Sequence, residues 1–440
     1  MQTKAEQDPT STPPQVEETV ADTDSRAENI SERERSIVLW LCNINHLTNH
    51  FQNQMLNPMY PAIMASLGFG PAQIGVLTAL RTMLSSWTQV GYGFLTPFIH
   101  RIHLLGIGSV IMALGTIATG MSTNFVTLVL ARCLASAGGS AQHPVGASLL
   151  SSYFPKTRGK VLALNTSISQ IGTMMAPLVS IFLLELVGWQ MTFVIISVLS
   201  IAMAAAYFFF SDKVRDDKSG QSTRAKLAQS KTSYLRVLKN RNMLLIALVF
   251  MVGGAGRGEV TPTYLPIHLV QDFSFPIWYG AAAIFIYNLS GMIGPIFFGW
   301  LSDRLNRVKI LQASLALSCV ATLWVANQGP DIPMLIASLL FYGAATHSRG
   351  TLTQALIADT AHEEDRDAAY SLYFFLGFFS APVWAVITGY LYQNYSFSAA
   401  FSVMSVSYIG GMLLMGLVKD PRAMLAASQA GGRRRGGGGE

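Results

Sequence analysis

Charge is scarce in this sequence. Lys, Arg, Asp and Glu make up 12% of the 440 residues, about half the share usual in soluble domains. Hydrophobic residues make up 51% and the mean hydropathy is +0.38. A water-soluble fold of this size needs far more polar surface, so that class is excluded. Cysteine is nearly absent as well. Cys42, Cys133 and Cys319 all lie in apolar stretches, with neither a disulfide framework nor metal-ligand spacing. There is no Gly-x-Ser-x-Gly, no His-Glu-x-x-His and no Walker loop, so the chain reads as neither enzyme nor nucleotide-driven pump. No cofactor, metal or nucleic-acid partner is expected. The first 35 residues lack the apolar stretch of a cleavable signal and are rich in Thr, Pro, Ser and Glu. They read as a disordered tail.

Long apolar runs are what the sequence has. A bilayer core needs about 20 mostly apolar residues per helix. Twelve segments qualify, at roughly 36–65, 72–99, 104–122, 125–153, 161–187, 189–210, 242–270, 276–302, 309–327, 332–359, 368–393 and 397–418. Helices satisfy their own backbone polar groups in lipid, which makes them the expected form. Lys and Arg are absent from every loop after an odd-numbered span. The even-numbered loops carry Arg101, then Lys156, Arg158 and Lys160, then Arg304, Arg307 and Lys309, while nine basic residues run from Lys213 to Arg241. This positive-inside pattern puts both termini in the cytoplasm of a plasma membrane, a bacterial inner membrane, with an even number of spans. The expected organisation is a cytoplasmic tail over 1–35, a six-helix bundle over 36–210, a basic cytoplasmic linker over 211–241, a second six-helix bundle over 242–418 and a cytoplasmic tail over 419–440.

The two bundles repeat one another. Gly139, Ala141, His143 and Gly146 of span 4 match Gly343, Ala345, His347 and Gly350 of span 10. Gly93, Leu95 and Arg101 match Gly299, Leu301 and Arg307 after spans 2 and 8. Repeated six-helix halves with a substrate site at their interface are a transporter architecture.

The segment Gly299-Trp-Leu-Ser-Asp303-Arg304-Leu-Asn-Arg307-Val-Lys309 resembles the loop signature of the major facilitator superfamily. In the first half Pro97 and Phe98 replace its acid and Arg, and Arg101 remains. Leu130-Ala-Arg132-Cys-Leu with Gly138-Gly139 resembles the family's fourth-helix motif. Gly172-Thr-Met-Met-Ala-Pro177 is similar to the fifth-helix motif of exporters, with Ala176 in place of its second Gly. Span 1, from His50 to Pro61, resembles the fosmidomycin-resistance branch, with Gln54 where that branch has an acid. The resemblance spans 36–418 and implies twelve transmembrane helices in two pseudo-symmetric six-helix bundles, an all-α membrane protein. It also implies that Asp303, Arg304 and Arg307 act as a gating latch.

Charge inside a membrane is costly and marks function. Arg81, Arg132, Arg257 and Arg349 lie inside spans 2, 4, 7 and 10, and Glu259 is the one acid well inside a span. Positive charge in excess favours an anion, and guanidinium suits carboxylate or phosphate through its two-pronged donor geometry. Arg257 and Arg349 are the first candidates for substrate contact, with Arg81 alongside. Arg132 has two readings, substrate or proton coupling and a structural or gating role. Glu259 likewise reads as proton carrier or as fixed counter-ion to an arginine. Gly253, Gly254, Gly256 and Gly258 weaken span 7 beside them. His143 and His347 occupy equivalent places and titrate near neutrality in their ordinary state. His46, His50, Asn53 and Asn57 line one face of span 1 and read as cavity lining or as polar glue between helices. The expected function is a secondary transporter that moves a small organic anion of carboxylate, phosphate or phosphonate type by alternating access with protons, as a monomer in the bilayer. The rival is a proton-driven drug or metabolite exporter, which would want buried acids in excess.

Overall fold

The computed structural model describes residues 30–96, 98–215, 232, 234–254, 259–361 and 365–420. Each of the twelve apolar segments contains helix. Span 1 is the helix Glu32–Gln54 continued, after Met55, by Leu56–Leu67. Spans 2 and 3 are Pro71–Leu95 and Arg101–Gly120. Span 4 is Phe125–Gly139, a π-helical turn over Gln142–Gly146, and Ala147–Tyr153. Spans 5 and 6 run together as Arg158–Phe209, divided where Gly188 takes φ 76°. That left-handed geometry suits glycine. Span 7 is Arg241–Val252 and Val260–Gln271, and spans 8 to 12 are Ile277–Arg304, Arg307–Asn327, Ile332–Thr360, Arg366–Asn394 and Phe397–Met415.

The helix starts are written locally. Ser31, Asn124, Asn240, Asn306, Asp331 and Ser396 each accept a backbone N–H three residues on. These caps satisfy amides that helix geometry leaves open. Span 1 therefore begins at Glu32, a turn earlier than hydropathy predicts.

Among the described residues, six helices are long and apolar enough to cross a membrane by length and composition: spans 3, 8, 9 and 12, most of span 11, and the joined spans 5 and 6. Spans 1, 2, 4, 7 and 10 are the remainder. They carry every intramembrane Arg, the His–Asn stripe, Glu259 and the helix breaks. The polar cost is thus concentrated in the helices that need protein neighbours on most sides.

Small residues let these helices approach. Gly108 packs on Gly138, Gly115 on Ala135, and Gly294 on Ala344. In lipid such packing and interhelical hydrogen bonds hold helices together, at about 0.6 kcal/mol per bond. The N-terminal half is rich in them. Asn45 Nδ2 donates to Gln142 Oε1 at 2.7 Å, Asn49 Nδ2 to Gly139 O at 2.5 Å, and Gln52 Nε2 to Ile196 O at 2.9 Å.

The halves meet along spans 2 and 11, 5 and 8, and 1 and 7. Their hydrogen bonds run from mid-membrane toward the end remote from the chain termini. Ala72 N donates to Gln393 Oε1 at 3.0 Å there. A Cβ on Gly389 would fall 2.5 Å from Tyr264 Oη and 2.7 Å from Pro71 O. Only glycine permits that approach. This seam is closed at the remote end.

Candidate functional site at the seam between the halves

Arg81 of span 2 forms an ion pair with Glu259 of span 7, across the two halves. Gln54 of span 1 donates Nε2 to the same carboxylate at 3.3 Å. Arg81 is buried and Glu259 is the more exposed partner. Glu259 stands just before Val260, where span 7 resumes its helix. The acid therefore meets Arg81, and the spacing of Arg257 and Glu259 along span 7 does not reveal that partner. Arg257 itself lies outside the described residues.

Arg132 of span 4 is fully buried beside this pair. Its Nη2 donates to Asn53 Oδ1 at 3.1 Å and its guanidinium lies 5.8 Å from the Phe193 ring. Its Nε and Nη1 have no hydrogen-bond partner among the described residues. Arg81, Arg132, Tyr60 and Glu259 lie within electrostatic reach of one another. Two guanidiniums here share one carboxylate. A buried donor without an acceptor is costly, and among the described residues positive charge exceeds negative charge at this cluster.

Arg349 is not brought to this place. It is fully buried in the C-terminal half with its guanidinium 5.2 Å over the Tyr408 ring, and its Nη1 has no partner. The sequence offers Arg349, like Arg257, as a substrate contact. The fold seats Arg349 against the Tyr408 ring, a cation–π contact within the C-terminal half. His347 faces Gly291 and Tyr287 of span 8, with its Nδ1 3.0 Å from Gly343 O. It belongs to the packing of spans 8 and 10.

His143 has a different fate. Its ring centroid lies 5.2 Å from that of His46 and 5.7 Å from that of His50, and those two are 4.9 Å apart. The repeat predicts equivalent roles for His143 and His347, and the environments are not equivalent. His143 sits in the π-helical turn ahead of Pro144. Proline withholds a backbone N–H, which favours such a disturbance, and the wider turn re-aims the side chain. Ser348 stands at the matching place in span 10, which runs as unbroken helix.

Asn53 holds Arg132, and its own Nδ2 donates to Asn49 O at 3.0 Å. Asn57 donates to Gln54 Oε1 at 2.8 Å. Of these bonds the one to Arg132 reaches span 4, and the other two stay within span 1. At the basic end Arg307 joins Asp303 and, at 2.9 Å, Asp359. Arg304 stacks on Trp300, 4.2 Å from its ring. In the other half Arg101 reaches Ser152 Oγ at 3.0 Å. Pro97 lies outside the described residues.

Gln54 and Tyr60 join the Arg81–Glu259 cluster, and Asn165 and Thr173 contact His46 and His50, none of them a candidate from the sequence. An amide inside an apolar span is the available signal for Asn165.

The Major Facilitator Superfamily model matches residues 43–311 and again 281–436. The chain belongs to that superfamily. It is 24% identical over 392 residues to the hexuronate transporter of Escherichia coli K12, covering 84% of this chain and 90% of the relative. It is 22% identical over 406 residues to an uncharacterized MFS-type transporter of Methanocaldococcus jannaschii, covering 90% and 98%. The crystal structure of the nucleoside transporter NupG superposes with TM-score 0.70 at 14% identity, covering 87% of this chain and 98% of that one. The protein is therefore a multi-pass transporter and not an enzyme.

Proposed function

We propose that this transporter carries a small organic anion of carboxylate, phosphate or phosphonate type, coupled to protons. The observation that carries the reading is the charge of the seam: among the described residues Glu259 is the one carboxylate beside Arg81 and Arg132, it pairs with Arg81, and Arg132 keeps two unpartnered nitrogens. An anion entering there satisfies Arg132 directly, through charge-assisted hydrogen bonds. The hexuronate transporter, whose name gives a sugar carboxylate, is consistent with this class.

Glu259 supplies the coupling. While ionised it occupies Arg81 and ties the halves together. A proton on Glu259 releases Arg81, and the two arginines then bind the anion between them. Loss of the cross-half ion pair also loosens the closed seam, so proton and substrate together favour reorientation of the halves. The basic end takes the cytoplasmic side of a bacterial inner membrane by the positive-inside rule, which makes the present closed seam the outer one. Asp303, Arg307 and Asp359 hold the inner ends of spans 8, 9 and 10 as one unit during that motion.

The test is thermal unfolding of purified protein against panels of organic anions, sugars and lipophilic cations. A ligand that binds the folded state raises the unfolding temperature with concentration. Stabilisation by an anion in the wild type, lost in Arg132→Ala, is expected. Stabilisation by cations alone would overturn the anion reading in favour of export.

A further inference from the structure

We propose that His46, His50 and His143 form a binding site for a borderline divalent cation of the Zn²⁺, Co²⁺ or Ni²⁺ class, within the N-terminal half. Each ring offers one nitrogen, and these nitrogens all lie within 4.8 Å of one another. His46 and His50 stand four residues apart on one helix, a spacing that puts two imidazoles on one face. The π-helical turn at Gln142–Gly146 delivers the third from span 4.

The surroundings prepare the ligand atoms. Asn165 Nδ2 donates to Asn43 Oδ1 at 2.8 Å, so its Oδ1 is left to accept. His46 Nδ1 lies 2.7 Å from that oxygen and is therefore the protonated nitrogen. Its Nε2 then carries the lone pair, and that atom is buried with no hydrogen-bond partner. His50 Nδ1 lies 3.1 Å from Thr173 Oγ1, whose hydroxyl is directed to Ser169 O at 3.4 Å. His50 is thus also protonated at Nδ1, with Nε2 open. Metal-binding histidines are oriented in this way, the second nitrogen donating to a fixed oxygen.

Tetrahedral ligands at about 2.0–2.1 Å from zinc sit about 3.4 Å apart, so nitrogens within 4.8 Å of one another must close by up to about 1.4 Å. That movement needs only rotation about the soft terminal torsions of histidine. His46 is buried, His50 partly buried and His143 exposed, so the site is open on one side. Three imidazoles with one open position is the pattern of sites that take an outside ligand. Imidazole selects zinc-like ions over Mg²⁺ and Ca²⁺. The site needs nothing from Arg81 or Glu259, so it stands whether or not the substrate is an anion.

Co²⁺ reports the geometry directly, because tetrahedral Co²⁺ absorbs far more strongly in the visible than the octahedral hydrate. Protein freed of any affinity tag and treated with chelator is titrated with Co²⁺. One equivalent of intense band is expected, displaced by Zn²⁺ and untouched by Mg²⁺. His143→Gln removes an exposed ligand at little cost to folding, checked by metal-free thermal unfolding, and should abolish the band. Asn165→Ala should weaken affinity about 10- to 100-fold by releasing the His46 ring. Absence of a stoichiometric band in the wild type, or its persistence in His143→Gln, would overturn the site and leave the histidines as polar packing.

Discussion

Spans 4 and 10 match in sequence over Gly139–Gly146 and Gly343–Gly350, yet one breaks into a π-helical turn and the other does not. In span 4 the break re-aims His143 at span 1, and Arg132 above it meets Asn53 of the same span. In span 10 His347 and Arg349 stay on a regular helix and pack against Tyr287 and Tyr408. One half is held by amides and histidines. The other is held by aromatic hydroxyls, among them Thr261 with Tyr342 at 2.6 Å and Thr353 with Tyr373 at 2.7 Å. The two stretches differ at four of eight positions, and of these Pro144 against Ser348 is the one that removes a backbone N–H from the helix ladder. Repeat symmetry in a transporter sequence thus marks equivalent positions and leaves their chemistry open.

The largest test of this contrast is to remove an arginine from each half. Arg132→Ala should lower uptake into proteoliposomes by about 10- to 100-fold, the weight of one hydrogen bond to a charged group. Arg349→Met keeps length and apolarity and removes a buried charge. Such replacements are often neutral or stabilising, so anion-dependent stabilisation should survive and the ligand-free unfolding temperature should hold or rise. The reverse outcome would move the anion site into the C-terminal half.

A smaller effect is expected at the closed seam. Gly389→Ala adds a Cβ where Tyr264 Oη and Pro71 O already crowd, and overpacking of this kind costs about 1–3 kcal/mol. The closed-seam state should lose population, and a cysteine at Ala72 should react faster with a membrane-impermeant thiol reagent. Unchanged reactivity would mean that the seam tolerates the methyl. The smallest effect belongs to Asp303→Asn. Its side chain is 66% exposed, and exposed pairs contribute less than about 1 kcal/mol. Arg307 keeps Asp359, so uptake should change by no more than a few-fold.

The fold was largely legible in the sequence, because a bilayer demands long apolar runs and basic loops on one side. The kinds of residue at the site were legible too, since Arg81, Arg132, Glu259 and the histidines are out of place in lipid. Their partners were not. Arg81 and Glu259 are 178 positions apart, and nothing in either span names the other. The clustering of His143 with span 1 depends on a π-helical turn that shifts the face of span 4. A regular helical wheel instead sets His143 beside Arg132. Arg349 reads as a substrate contact because its position and charge are visible in the sequence while the Tyr408 ring beneath it is not.

The central claim is that Glu259 is an exchangeable counter-ion whose protonation frees Arg81 for the substrate. It is tested most directly by proteoliposome uptake of the stabilising anion by Glu259→Gln, with and without an imposed proton gradient. Glutamine stands in for the protonated acid and leaves Arg81 unpaired. The account predicts that this variant still binds the anion, at least as tightly as wild type, and that the gradient no longer stimulates its uptake. Gradient-stimulated uptake equal to wild type in Glu259→Gln would contradict it and return Glu259 to a fixed structural partner of Arg81.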